Sequence, residues 1–190
     1  MKLNLSSLYF FAPLAVVSLL FTSCGMVKTP EPQKADRIMY QWYDTGGTGP
    51  VSVSIDLGEQ IATIKRGDRE IGWSFVAAGK EGRGTPAGTY YITEKIVDKY
   101  SNRYGWIENE LGETIDNDAS PGDYVPPGAV YKPAPMPYWM RLTDYGIGMH
   151  VGNIPQPGEP ASHGCIRMPK EFVPTLYDKV KVGTRVRITY

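Results

Sequence analysis

Residues 51–57 read VSVSIDL, with Val51, Val53, Ile55 and Leu57 alternating against Ser52, Ser54 and Asp56. A period of two puts the apolar set on one face of a strand, whereas a helix would scatter the same side chains around its circumference. Gly58-Glu59 then turns the chain into QIATIKR (60–66), and Gly67-Asp68 turns it again into REIGWSFVAAG (69–79). The stretch is therefore expected to form two successive hairpins. GTYYITEKI (88–96), rich in β-branched and aromatic residues, is expected to add another strand.

Twenty-one glycines and sixteen prolines in 190 residues favour strands joined by turns over a helical bundle. Residues 97–138 break the strand rhythm, with six prolines between positions 121 and 137, too many for a central strand. They are expected to form a long insertion loop. Its aromatic residues argue against simple disorder, so it is read as a lid or wall beside a cleft, against the alternative of a packed surface loop. WMRLTDYGIGMHV (139–151) gives two short strand-like runs. In PKEFVPTLYDKV (169–180), Phe172, Val173, Leu176, Tyr177 and Val180 have helical spacing. Pro169 suits an early helical position there, and Pro174 is expected to limit or kink the helix. GTRVRITY (183–190) is an alternating strand. The expected fold is mainly β, a sandwich with one short helix and the proline-rich insertion, occupying residues 37–190.

The N-terminus has a different character. Lys2 precedes an apolar run from Leu8 to Phe21, too short for a comfortable membrane span and suited to the core of an export signal. Thr22 and Ser23 lead into Cys24, an arrangement similar to a bacterial lipoprotein signal in which the cysteine is lipidated. The alternative is plain secretion, with Cys24 incidental. Residues 1–23 are thus read as a signal peptide and 24–36 as a polar tether. Gly25 points to outer-membrane sorting, and the expected location is periplasmic and membrane-anchored. The formal net charge is zero and no basic stripe exists, so nucleic acid is not an expected partner. With Cys24 assigned to a lipid, Cys165 is an unpaired thiol in an oxidising compartment, where a free thiol is more easily explained by use than by neglect.

Both histidines of the chain and that thiol fall within MHVGNIPQPGEPASHGCIRMP (149–169). A thiolate attacks carbonyls and a thiol does so poorly, so a nucleophilic cysteine needs a base nearby, and histidine titrates in the useful range. His150 sits on an expected strand and Cys165 after a proline-rich loop able to fold it back. Gly164 permits close backbone approach, and consecutive N–H groups of His163, Gly164 and Cys165 are candidates to bind an oxyanion. Zinc is the competing reading, since two histidines and a cysteine are three potential ligands. The His163-x-Cys165 spacing is shorter than in zinc knuckles, and no second pair follows. No metal or other cofactor is expected.

His150 followed by Ser162-His163-Gly164-Cys165-Ile166-Arg167 resembles the active-site signature of the L,D-transpeptidase catalytic domain family, the YkuD-type domain. FVAAGKEGRGTPAGTYYITEK (75–95) resembles the family's strand–loop–strand stretch, and VSVSIDLGEQIATIKRG its opening hairpin. Val151 stands where many members have glycine, and Arg167 where asparagine is more familiar. The resemblance implies that Cys165 attacks the carbonyl between a diamino acid and the terminal D-Ala of a peptidoglycan tetrapeptide stem. D-Ala leaves, and an amine of a second stem resolves the thioester into a 3→3 cross-link. His150 would be the general base, with His163 shaping the site or sharing proton traffic. Arg167 would bind a stem carboxylate or make a structural ion pair, and Ser162 would orient a histidine or cap a turn. Tyr138 and Trp139 are further expected substrate contacts. The partners implied are stem peptides, and a lipid bilayer through Cys24. Hydrolysis of the same peptides, or silent wall binding, are the competing functions.

Overall fold

The computed structural model describes residues 37–190, so residues 1–36, read above as a signal segment, a lipidated Cys24 and a tether, lie outside the described residues. The chain begins with a short strand β1 (Tyr40–Trp42) and runs into β2 (Val51–Asp56), β3 (Ile61–Arg66) and β4 (Arg69–Phe75). β2–β3–β4 are the two expected hairpins, and Val53 and Ile55 bury the face that their alternation marked. On β3 the core positions are Ala62 and Ile64, so Ile61 falls on the opposite face.

Residues 88–96 form two strands instead of one, β5 (Gly88–Tyr91) and β6 (Glu94–Ile96). The chain changes sheets between them. Ile92 is buried at the corner, where its N–H donates to the Thr184 carbonyl and its carbonyl accepts from Gly183 N–H.

The expected insertion loop is also corrected. Residues 100–135 contain a three-stranded antiparallel sheet of β7 (Tyr100–Asn109), β8 (Thr114–Ala119) and β9 (Ala129–Pro135), with β7 in the middle. Prolines are tolerated here because β9 is an edge strand, where a missing N–H is not needed by a second neighbour. Opposite Pro133 and Pro135 the ladder slips, since Tyr100 pairs with Pro135 and Gly105 with Pro133. The surplus residues of β7 form a bulge, held by Ser101 Oγ accepting from the N–H groups of Arg103 (3.2 Å) and Tyr104 (2.9 Å).

The remaining elements are β10 (Trp139–Arg141), β11 (Gly148–Val151), β12 (Ile166–Met168), α1 (Val173–Lys179) and β13 (Arg185–Thr189). One sheet has the order β1-β4-β3-β2-β13-β5, with β13 parallel to β2 and antiparallel to β5. A second has the order β12-β11-β10-β6, with β11 and β12 parallel. Side chains from both sheets and α1 form one core, including Ile55, Ile64, Met140, Met149, Ile166, Met168, Phe172, Leu176 and Ile188. Trp42 stacks on Phe172 at 4.5 Å. The mainly β sandwich, with one short helix among the described residues, is therefore as expected. Pro169 lies before the helix, and Pro174 occupies its first turn, where it displaces no intrahelical hydrogen bond. Lys95 closes the other end, donating to the carbonyls of Tyr177 (2.6 Å) and Val180 (2.7 Å).

Candidate active site

Parallel strands need a crossover connection, and the proline-rich residues 152–165 supply the one between β11 and β12. The register sets His150 opposite Arg167 and Met149 opposite Ile166. Since side chains alternate, Met149, Ile166 and Met168 enter the core, while Gly148 and His150 share the other face with Cys165 and Arg167. That face is the floor of a cleft of about 370 Å³. Ser101, Arg103 and Tyr104 from the bulged β7 line one wall, with Tyr145, Gly146 and Ile147 also lining the cleft. The proline-rich insertion is thus a wall of the cleft, and its bulge is what delivers Arg103 and Tyr104 to it.

His150 is buried and its Nδ1 lies 2.7 Å from the Val151 carbonyl. Only a protonated Nδ1 can serve that acceptor, so the neutral ring carries its lone pair on Nε2. Burial lowers its pKa to about 4, aided by the positive charge of Arg167 and opposed by the Val151 hydrogen bond. Cys165 is unpaired, and burial raises its thiol pKa, while Gly148 N–H and the Arg167 charge act the other way. The thiol donates to the Gly146 carbonyl at 3.5 Å. Burial thus pushes both groups toward their neutral forms, a thiol and a neutral imidazole, and away from a thiolate–imidazolium ion pair.

The loop that carries the thiol is held from several sides. Gly164 has φ +120°, and a Cβ there would sit 2.9 Å from Ile147 Cδ1. Ser162 is buried, its Oγ accepting from Gly164 N–H (3.0 Å) and donating to the Cys165 carbonyl (2.5 Å). This is a turn-capping role. It also corrects the expected oxyanion donors, because Gly164 N–H is spent on Ser162. Among the described residues the N–H groups of His163 and Cys165 donate to nothing else, which leaves those two. Thr85, not singled out in the sequence reading, ties the loop from beneath. Its hydroxyl accepts from Gly79 N–H (2.9 Å) and donates to the Gly164 carbonyl (2.7 Å).

Arg167 lies across Gly152 and lines the cleft, and among the described residues it has no ion-pair partner. The structural ion pair considered for it is absent there. His163 stacks on Tyr104 with ring centroids 4.6 Å apart, and its Nε2 is 3.0 Å from Asp118 Oδ1. Tyr138 and Trp139 are corrected, since neither lines the cleft. Trp139 is buried, with its ring packed over Gly148 and its Nε1 donating to Glu94 at 3.0 Å. Tyr138 packs edge-on against Tyr177 beside α1. Bulky aromatic character marked both, but a glycine across the sheet opened a core slot for the indole. Among the described residues no three His, Cys, Asp or Glu side chains converge as metal ligands.

A putative L,D-transpeptidase YkuD of Bacillus subtilis (strain 168) is 29% identical over 142 residues, covering 74% of this chain and 67% of the relative. Among solved structures, an L,D-transpeptidase from Mycobacterium smegmatis superposes with a TM-score of 0.56 at 19% identity, over 74% of this chain and 59% of that one. An Enterococcus faecium L,D-transpeptidase C442S mutant gives 0.56 at 22% identity, over 75% of this chain and 50% of that one. The two structures share the fold, and this chain spans 59% and 50% of their lengths. The sequence profile of the YkuD L,D-transpeptidase catalytic domain matches residues 50–188, which contain every cleft residue named above. The chain belongs to the L,D-transpeptidase catalytic domain family, a family of cysteine-dependent acyltransferases.

Proposed function

We propose that this protein is a peptidoglycan L,D-transpeptidase that forms 3→3 cross-links through a thioester on Cys165. The observation that carries the reading is the parallel β11–β12 register, which sets His150 opposite Arg167, so that both line one cleft with Cys165. His150 Nε2 takes the thiol proton as Sγ attacks the carbonyl carbon of the donor stem. The N–H groups of His163 and Cys165 receive the charge that develops on oxygen. The intermediate collapses, the C–N bond breaks, and the leaving D-Ala amine takes the proton from His150. In the second half, His150 accepts a proton from the acceptor amine, the amine attacks the thioester, and sulfur leaves and is reprotonated. A neutral His150 is in the form that can accept a proton in each half of the turnover.

The guanidinium of Arg167, without an ion-pair partner among the described residues, fits a carboxylate of the donor stem. Residues 1–24 support export and lipidation of Cys24, which would hold the domain against the wall from a membrane, the outer one by the Gly25 rule. A Cys24→Ser form that still incorporates palmitate would remove that anchor. For the activity, the protein is incubated with disaccharide-tetrapeptides and the products are read by mass spectrometry. Cross-linked dimers with release of D-Ala are expected. Tripeptides alone would replace transfer by hydrolysis, and unchanged substrate would refute the enzyme reading. Cys165→Ala should lose all turnover and any carbapenem adduct.

A further inference from the structure

The two histidines of the site are held in different ways. His150 is oriented by its own strand, through the Val151 carbonyl. His163 is oriented by the three-stranded sheet, an element that supplies no nucleophile, base or oxyanion donor. Its Nε2 is shielded from solvent and lies 3.0 Å from Asp118 Oδ1, off the line of a straight hydrogen bond. A carboxylate oxygen is an acceptor only, so its approach to within 3.0 Å favours the form with the hydrogen on Nε2, although the contact is not a hydrogen bond of good geometry. Two lone pairs would repel. The lone pair of a neutral His163 is therefore on Nδ1, the reverse of His150.

Asp118 is itself tethered. Arg83 Nη2 is 3.3 Å from Asp118 Oδ2, and the Arg83 guanidinium lies 5.6 Å from the Tyr104 ring centroid. Tyr104 in turn stacks on the His163 imidazole, with the ring planes inclined by 15°. Arg83, Asp118, His163 and Tyr104 thus close a ring of contacts contributed by the 76–87 loop, β8, the nucleophile loop and β7. The β7 bulge places Tyr104 there, which gives the irregular register opposite Pro133 and Pro135 a purpose.

We propose that Asp118 and Tyr104 are positioning residues of the catalytic apparatus, fixing His163 as the Nε2–H tautomer with its ring plane set against the cleft wall. The fusion of an accessory sheet to the motif loop is thereby electrostatic as well as steric. The charged groups facing His163 are Asp118 on β8, Arg83 and Lys80 on the 76–87 loop, and Arg167 on β12. Asp118 is the one anion among three cations, and it alone counters the burial that lowers the His163 pKa. Removing its charge must lower that pKa further.

The chain contains only two histidines, which makes the test direct. In the full protein labelled with 15N-histidine, imidazole correlation spectra should show one ring as the Nδ1–H tautomer and one as Nε2–H. His150→Gln should remove the first. Asp118→Asn should shift the His163 titration to lower pH, and Asp118→Ala should mix its tautomers. Asp118 is 44% exposed at its side chain, so both variants should fold. In turnover, Asp118→Ala should lower kcat by roughly tenfold, a scale set by misplacing one group near the reacting atoms, with KM changed less than about twofold. Tyr104→Phe, which keeps the stacking face, should recover most of what Tyr104→Ala loses. A His163 spectrum that matches His150, or one unmoved by both Asp118 variants, overturns the proposal. The kinetic arm rests on the acyl-transfer reading and the spectroscopic arm does not. A protein inert to every stem but with an Asp118-dependent His163 spectrum would refute that reading and uphold this one.

Discussion

Thr85→Val is the sharpest probe of how the nucleophile loop is held. Thr85 is 2% exposed, and its single hydroxyl oxygen joins Gly79 N–H at 2.9 Å to the Gly164 carbonyl at 2.7 Å. Valine keeps the shape and removes both bonds. A buried Gly164 carbonyl and a part-buried Gly79 N–H then lose their partners, each costing about 1–3 kcal/mol when fully buried, so a loss of about 2–3 kcal/mol is expected after relaxation and hydration of Gly79. That is a large part of the roughly 5–15 kcal/mol that holds a typical domain together. Thr85→Ser keeps the oxygen and removes a methyl group, for about 1 kcal/mol. The Gly164 carbonyl is one residue from the thiol, so the valine variant should also lose about 10- to 100-fold in kcat from displacement of Sγ. Urea unfolding gives the stabilities, and D-Ala release gives the rates. Equal losses for valine and serine would show that packing, not the hydroxyl bridge, is what matters. A destabilised valine variant with unaltered kcat would show that the bridge does not position the thiol.

Further outcomes follow from the same geometry. His150 has a folded pKa of about 4 against 6.5 when exposed, so the unfolded chain takes up the proton that the folded chain refuses. Stability is therefore complete above pH 6.5 and falls by on the order of 3 kcal/mol as pH drops to about 4. Urea midpoints should show this slope, and His150→Gln should flatten it. Gly164→Ala should cost about 1–3 kcal/mol and at least tenfold in kcat, because φ +120° is closed to alanine. Full rescue by adding Ile147→Ala would mean that crowding, not backbone strain, is responsible. Arg167→Gln should raise KM for a free-carboxylate donor about tenfold, the value of one charge-assisted contact, while an amidated donor is unaffected. Equal effects on both donors would remove Arg167 as the carboxylate reader.

The fold is legible in the sequence where local pattern and tertiary demand agree. The strict alternation of VSVSIDL became β2, and the seven motif positions placed His150 and Cys165 in one cleft. The fold is not legible where a distant partner decides. Residues 97–138 looked like a loop because their prolines forbid a central strand, yet an edge strand beside a bulge accepts them. Trp139 looked like a substrate contact until Gly148, nine residues on, proved to make room for it in the core. Thr85, Tyr104 and Asp118 carried weak signals. A threonine in a turn, a tyrosine in a polar run and one aspartate among several gain meaning only from the loop they meet. The TPAG turn containing Thr85 was legible as part of the family resemblance, but its hydroxyl's destination was not.

The strand β13 lies between β2 and β5, and its parallel partner β2 is about 130 residues earlier in the chain. Contacts at such separation form late, since the entropy of closing the intervening chain must be overcome first. Until residues 185–189 arrive, the large sheet is split, with β5 cut off from the β1–β4 hairpins. The final strand is thus the one that joins the two parts of the large sheet, and the β2–β13–β5 pairing completes it only when residues 185–189 are in place.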